Sequence, residues 1–310
     1  MATHPKHPIA GALLAWFATN NRATLPWRTD RAPYRIVVAE FMLQQTQVDR
    51  VVPLFEAFVA RWPTFEALAA ASQADVVRAW QGLGYNSRAV RLHALARAVR
   101  DEHAGSLPCD ESTLRALPGI GPYTARAIAA FAFDADVVAV DTNIRRIVHR
   151  TQFGLECPPL ATPAEIDAVA ASLVPPGAGF AFNSALMDLG STVCTARAPK
   201  CLLCPLVRDC AAAPIDALTL ARRAAAHAPV RTPQQKMKFV ETDRFVRGRV
   251  IDRLREMRPA ETISLLDLHA QLAPLLSGSH LDGAEFAAIV TRLGRDGIIE
   301  IGEAGVALKA

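Results

Sequence analysis

The amino-acid sequence predicts an all-α chain that ends in a small α+β unit. Three observations carry this expectation. Apolar residues recur at helical spacing in one segment after another. The stretch "LPGIGPYTA" (117–125) supplies the glycines and proline of a tight connection between two such segments. Residues 241–310 read as three helices followed by a short hairpin. The chain has 310 residues, 51% of them apolar and 21% charged, which suits a globular protein of two or three small domains. A net charge of +4 permits nucleic-acid binding without arguing for it. Lysine occurs only at 6, 200, 236, 238 and 309. The arginine bias suits bidentate phosphate contacts, but genome composition explains it equally well. No apolar run reaches the length of a membrane span.

Taken in order, the first element is an amphipathic helix with Ile9, Leu13, Trp16 and Phe17 on one face. It is preferred over a short secretion signal after Lys6, because no small-residue cleavage pattern follows. Next, "RIVVAEFMLQQT" (35–46) is an apolar helical run with one acid, Glu40. Most helical glutamates face water, and a buried carboxylate is costly unless something compensates for its lost hydration. The residues alone leave both readings open.

The helices "STLRA" (112–116) and "ARAIAAFAF" (125–133) flank the glycine-rich connection, with Pro122 suited to a first helical position. Free N–H groups at such a helix start bind a phosphate without reading sequence. In "VVAVDTNIRRIVHR" (137–150), Asp141 ends an apolar stretch and opens a helix near Asn143. Helix capping explains Asp141 by itself, and capping also fixes a carboxylate at a cleft edge. The array "CTARAPKCLLCPLVRDC" places Cys194, Cys201, Cys204 and Cys210 at C-x6-C-x2-C-x5-C spacing. Four thiols in so short a loop suit zinc or an iron–sulfur cluster rather than two disulfides, and imply an interior compartment. Cys109 and Cys157 are isolated fillers. Residues 213–238 are Ala-, Pro- and Arg-rich and read as a linker. Beyond them "TDRFVRGRVIDRLREM", "SLLDLHAQL" and "GAEFAAIVTRLGRDG" are helical, and "IIEIGEAGVALKA" is hairpin-like. That order suggests a winged-helix unit over 239–310.

Together "LPWR" (25–28), "AEFMLQQTQV" (39–48), "GLGY" (82–85), "LPGIGPYTA", "VDTNIRR" (140–146), "FNSALMDLGSTVC" (182–194) and the cysteine array resemble the helix–hairpin–helix DNA glycosylases of the endonuclease III superfamily, and within it the MutY family. The likeness spans residues 8 to about 212. It implies a two-lobed architecture: a six-helix barrel over 27–140, a cluster domain of 1–26 with 141–212, and DNA across the cleft between them. It moves the cysteine array from zinc to a [4Fe-4S] cluster. It implies that Glu40 is a buried general acid that protonates a flipped adenine at N7, and that Asp141 stabilises the sugar cation that forms. Tyr123 and Asn143 would orient the aspartate and a water. Gln45 and Tyr85 would enter the helix around the opposite base, Tyr85 as a wedge, and Gln44 would be a further DNA-binding residue. Gly119, Gly121 and Thr124 would bind the DNA backbone. Trp27, Arg28 and Asp188 would edge the adenine pocket, although Asp188 could equally be a structural partner of Arg28.

The resemblance also implies what is lacking. Bifunctional members carry a lysine where Tyr123 stands, and a phenol forms no Schiff base, so the expectation is a monofunctional glycosylase. "VDTN" and "GLGYN" depart from the sequences commonest in the MutY family, and the Nudix-like domain of fuller members is missing. A G·T or G·U mismatch glycosylase and a non-catalytic DNA-binding protein are the alternatives. The Glu40 embedded in "EFMLQQTQ" favours the adenine enzyme over the pyrimidine one, and the joint presence of Glu40, Tyr123, Asp141 and Asn143 weighs against the non-catalytic protein. Its partner would be duplex DNA containing a mispair, met by a monomer in the bacterial cytoplasm, with no membrane association.

Overall fold

A computed structural model describes residues 8–156, 160–226, 238–276 and 281–310. Cys157 lies outside the described residues. The helices in chain order are α1 (Pro8–Asn20), α2 (Pro26–Thr29), α3 (Pro33–Leu43), α4 (Val48–Arg61), α5 (Phe65–Ala70), α6 (Gln73–Ala79), α7 (Ser87–Glu102) and α8 (Glu111–Ala116). They continue with α9 (Pro122–Phe133), α10 (Thr142–Gln152), α11 (Pro163–Leu173), α12 (Gly179–Thr192), α13 (Ala217–Ala226), α14 (Asp243–Glu256), α15 (Leu265–Leu276) and α16 (Gly283–Arg295). The strands β1 (Ile299–Gly302) and β2 (Gly305–Leu308) pair antiparallel, with Ile299 opposite Leu308. No described helix is long and apolar enough to cross a membrane.

Helix starts follow local chemistry. Thr64, Ser72, Asp141, Thr162, Thr242 and Asp282 each accept a backbone N–H with the side chain, as favoured N-caps do. Thr162–Glu165 and Asp282–Glu285 complete capping boxes.

The chain forms two compact units. One comprises residues 1–40, 108–116 and 120–231, and the other 41–107, 117–119 and 232–310. This division differs from the lobes expected at 27–140 and 141–212. In the first unit α12 packs on α1, α9 and α10, and α8 packs on α9, so the helices that flank the glycine turn are drawn to the cysteine-bearing side. Ile9, Leu13, Ile144, Ile147, Phe182, Leu186 and Leu189 fill its core. In the second unit α7 packs on α5 and α6, and α14 packs on α15 and α16. The C-terminal segment has the expected three helices and hairpin. Ile263 adds a bridge to Val306, which brings a third extended segment to the wing. The expected linker needs correction. Residues 217–226 form α13 and bury Leu220, because alanine and arginine are good helix formers. Residues 227–237 of that stretch lie outside the described residues.

Candidate active site

In the first unit Glu40 is carried inward by its own neighbours. Ile36, Val37, Val38 and Ala39 are all buried, and Glu40 is only 9% exposed. The wet-face reading is thereby excluded. Burial raises its pKa from 4.5, the negative charge of Asp141 raises it further, and a hydrogen bond from the Tyr123 phenol opposes both. The result is a pKa of about 7. Tyr123 is held well above its usual range by burial and by the charges of Glu40 and Asp141, so it stays a phenol and a donor.

Asp141 is delivered by a stretch that pairs with no strand among the described residues. Asn183 on α12 serves that stretch instead. Its Nδ2 donates to the Val137 carbonyl at 2.7 Å, and its Oδ1 accepts from Ala139 N–H at 2.9 Å. The side chain of Asp141 then caps α10, accepting from Ile144 N–H at 2.7 Å on Oδ1 and from Asn143 Nδ2 at 2.9 Å on Oδ2. Asn143 is oriented in turn by Arg146, whose Nη2 donates to Asn143 Oδ1 at 2.9 Å and to the Gly190 carbonyl at 2.8 Å. Arg146 Nε donates to the Cys194 carbonyl at 2.8 Å. A Cβ on Gly190 would stand 2.8 Å from Asn143 Cβ, so α12 approaches this close only because position 190 is glycine. The four residues Glu40, Tyr123, Asp141 and Asn143 thus form one linked group.

The pocket-edge expectation for Asp188 is corrected. Arg28 Nη1 and Nη2 reach its two oxygens at 2.7 and 3.0 Å, while Arg22 Nε and backbone N–H reach them at 2.6 and 3.2 Å. All four acceptor sites of the carboxylate are filled and Asp188 is 1% exposed, leaving none for a base. Asp188 and Arg28 anchor residues 22–28 on α12. Trp27 is buried beside them in sequence.

In the second unit one guanidinium was missed by sequence reasoning. Arg88 Nη1 donates to the carbonyls of Phe41, Met42 and Gln44, and Nη2 to Thr46 Oγ1 and the carbonyls of Leu83 and Gly84, at 2.7–3.2 Å. It pins the Gln44–Gln45 turn and the Tyr85 loop together. Gln45 (φ 55°) and Tyr85 (φ 46°) both occupy the left-handed region, costly for residues with a Cβ and sustained by such pinning. Tyr85 is 42% exposed and Gln45 is exposed, whereas Gln44 is half-buried and offers its carbonyl inward. No sequence signal marks Arg88, since its acceptors are backbone carbonyls.

At the hairpin, Gly119 has φ 78°, and a Cβ there would meet Arg91 and the Phe41 ring at about 3 Å. Gly121 is the N-cap of α9 without a side-chain cap, so the first N–H groups of that helix are free to receive an anion. Thr124 is buried.

The four array cysteines are free thiols and line one cavity together with Ile147, Leu189, Val193 and Leu206. Among the described residues no group of three or more His, Cys, Asp or Glu is arranged to hold a single metal ion. Polar hydrogens face the sulfurs. Ile215 N–H reaches Cys201 Sγ at 3.4 Å, and the buried Arg150 reaches Cys194 Sγ at 3.5 Å. An all-sulfur donor set with N–H···S contacts and apolar walls fits an iron–sulfur cluster.

Comparison with known proteins relates the chain to DNA repair enzymes. The model of the HhH-GPD superfamily of base excision DNA repair proteins matches residues 38–176. The adenine DNA glycosylase of Mycolicibacterium smegmatis is 45% identical over 259 residues, 83% of each chain. That of Mycobacterium tuberculosis is 42% identical over 269 residues, 86% of this chain and 84% of the relative. Among solved structures a thermostable thymine-DNA glycosylase superposes with a TM-score of 0.60 at 29% identity, over 65% of this chain and 93% of that one.

Proposed function

The chain belongs to the HhH-GPD superfamily of base excision DNA repair proteins, as an adenine DNA glycosylase, and on that premise we propose that it hydrolyses the N-glycosidic bond of adenine paired with 8-oxoguanine or guanine in duplex DNA. The observation that carries this reading is a buried glutamic acid poised near neutral pH, hydrogen-bonded to Tyr123 and under the charge of Asp141. Adenine leaves deoxyribose readily only when protonated. Glu40 donates its proton to N7 as the C1′–N9 bond breaks and the bond's electron pair departs with the base. The negative charge of Asp141 stabilises the cationic sugar. A water then adds to C1′ and returns a proton to Glu40. Asn143 holds the Asp141 carboxylate in place, and Tyr123 holds Glu40. Without an amine at position 123 no Schiff base forms, so the backbone stays intact.

In this reading Cys194, Cys201, Cys204 and Cys210 hold a [4Fe-4S] cluster, which supplies iron–thiolate bonds that cross-link the 194–210 loop. Cys201→Ser should remove the brown visible absorbance and most of the bound iron, and lower the thermal midpoint. Unchanged iron content and midpoint would contradict the ligand set.

The protein is proposed to work as a monomer on chromosomal DNA in the bacterial cytoplasm. The test is single-turnover cleavage of duplexes that differ only in one pair: A·8-oxoguanine, A·G, T·G and U·G. Adenine excision from the first two, with a modest preference for the lesion, is the expected result. Excision of T or U with adenine untouched would favour a mismatch pyrimidine glycosylase; one of the similar solved structures is a thymine-DNA glycosylase. The raised pKa of Glu40 favours adenine, because a pyrimidine has no N7 to protonate.

A further inference from the structure

The arginines of α14 are not alike. Arg247 pairs with Asp296, Arg249 and Arg255 with Asp252, and Arg253 with Glu256. Arg244 has no ion-pair partner among the described residues, and the adjacent Asp243 is taken by Arg292. The exposed guanidinium of Arg244 instead lies over the Tyr85 ring, 4.4 Å from its centroid, and 6.0 Å from the centroid of Phe239, itself 59% exposed. All three residues belong to the second unit.

The C-terminal segment is fixed there by polar contacts to backbone and side chain. Arg255 Nη2 donates to Asn86 Oδ1 at 2.6 Å and to the Val77 carbonyl at 3.0 Å. Gln73 Nε2 donates to the Gly297 carbonyl at 2.6 Å, and Arg78 Nη2 to the Met257 carbonyl at 3.3 Å. These contacts hold the end of α14 beside Asn86, next to Tyr85 in sequence, and the start of α14 meets Tyr85 through Arg244 itself. A guanidinium stacked on a ring spends one face on the π-system and keeps its in-plane N–H groups for an anion.

We propose that Arg244, with Phe239 beside it, is a DNA contact of the C-terminal unit and binds a backbone phosphate of the strand that Tyr85 enters. This rests on the reading of Tyr85 as a residue that intercalates opposite the excised base. The winged-helix-like unit then forms part of the duplex surface and is more than an appended domain. Its contribution is charge neutralisation, so it strengthens binding to every mispair equally.

The test uses the full chain and a duplex carrying an uncleavable tetrahydrofuran abasic site, once opposite guanine and once opposite 8-oxoguanine, titrated across a range of salt. Arg244→Ala is expected to weaken both complexes about tenfold, the loss of one charge-assisted hydrogen bond. The slope of log K against log salt should become shallower by about 0.9, the signature of one lost phosphate contact. Arg244→Lys should keep the slope, because charge is retained. Thermal unfolding should give the same midpoint for both variants, showing that the fold is intact. An unchanged slope in Arg244→Ala, or a loss confined to one opposite base, overturns the proposal. So does an equal loss in Arg258→Ala, an exposed arginine of the same unit paired with Glu261, since that reports net charge alone. Because the probe is not cleaved, failure of the adenine reading shows separately, in the excision assay.

Discussion

Glu40→Gln is expected to lower single-turnover adenine excision by roughly 10³-fold or more, near the upper range for a general acid, while the affinity for an abasic-site duplex stays within about twofold. The amide matches the carboxylic acid in shape and still accepts the hydrogen bond from Tyr123, but it has no proton to give to N7. In the wild type only the protonated form is active. With a pKa of about 7, the rate should be level in mild acid and fall about tenfold per pH unit above neutrality. The same shift affects stability. Glu40 binds its proton more tightly folded than unfolded, so stability present below pH 4.5 declines as pH rises and the loss is complete near pH 7. That loss is on the order of 3 kcal/mol. Glu40→Gln escapes it and should melt higher than the wild type at pH 8. Near-normal turnover by the variant would return Glu40 to a structural role.

Asp141→Asn should be comparably damaging, by about 10²–10³-fold in the same assay, as expected for loss of one electrostatic stabiliser in a desolvated site. Asparagine is as good an N-cap as aspartate, so its oxygen still accepts from Ile144 N–H and α10 should hold. Its amide nitrogen then faces the Nδ2 of Asn143, a donor against a donor, and Asn143 cannot turn without giving up Arg146. The variant also removes one of the two influences that raise the pKa of Glu40, so its residual activity should fall away at lower pH than in the wild type. A rate within tenfold of the wild type, with an unmoved pH profile, would show that the charge at 141 takes no part in the chemistry.

The sequence by itself determined the fold class, the hairpin, the C-terminal helices and the candidates Glu40, Tyr123, Asp141 and Asn143. These are local or motif-borne. Apolar periodicity, turn glycines and N-caps act over a few residues, and the chain writes them in consecutive positions. It also raised the question of Glu40, but could not answer it, since burial depends on what α3 packs against.

Only the tertiary structure decided the rest. A buried polar side chain must find partners, and those partners are often backbone groups far along the chain. Arg88 holds carbonyls of residues 41–44, Asn183 holds residues 137–139, and Arg146 holds Gly190 and Cys194, yet a carbonyl has no sequence signature. Asp188 shows the converse. Its position in a motif suggested a base pocket, until two arginines filled its four acceptor sites. The stack of Arg244 on Tyr85 joins residues far apart in sequence, and nothing in either segment announces the other.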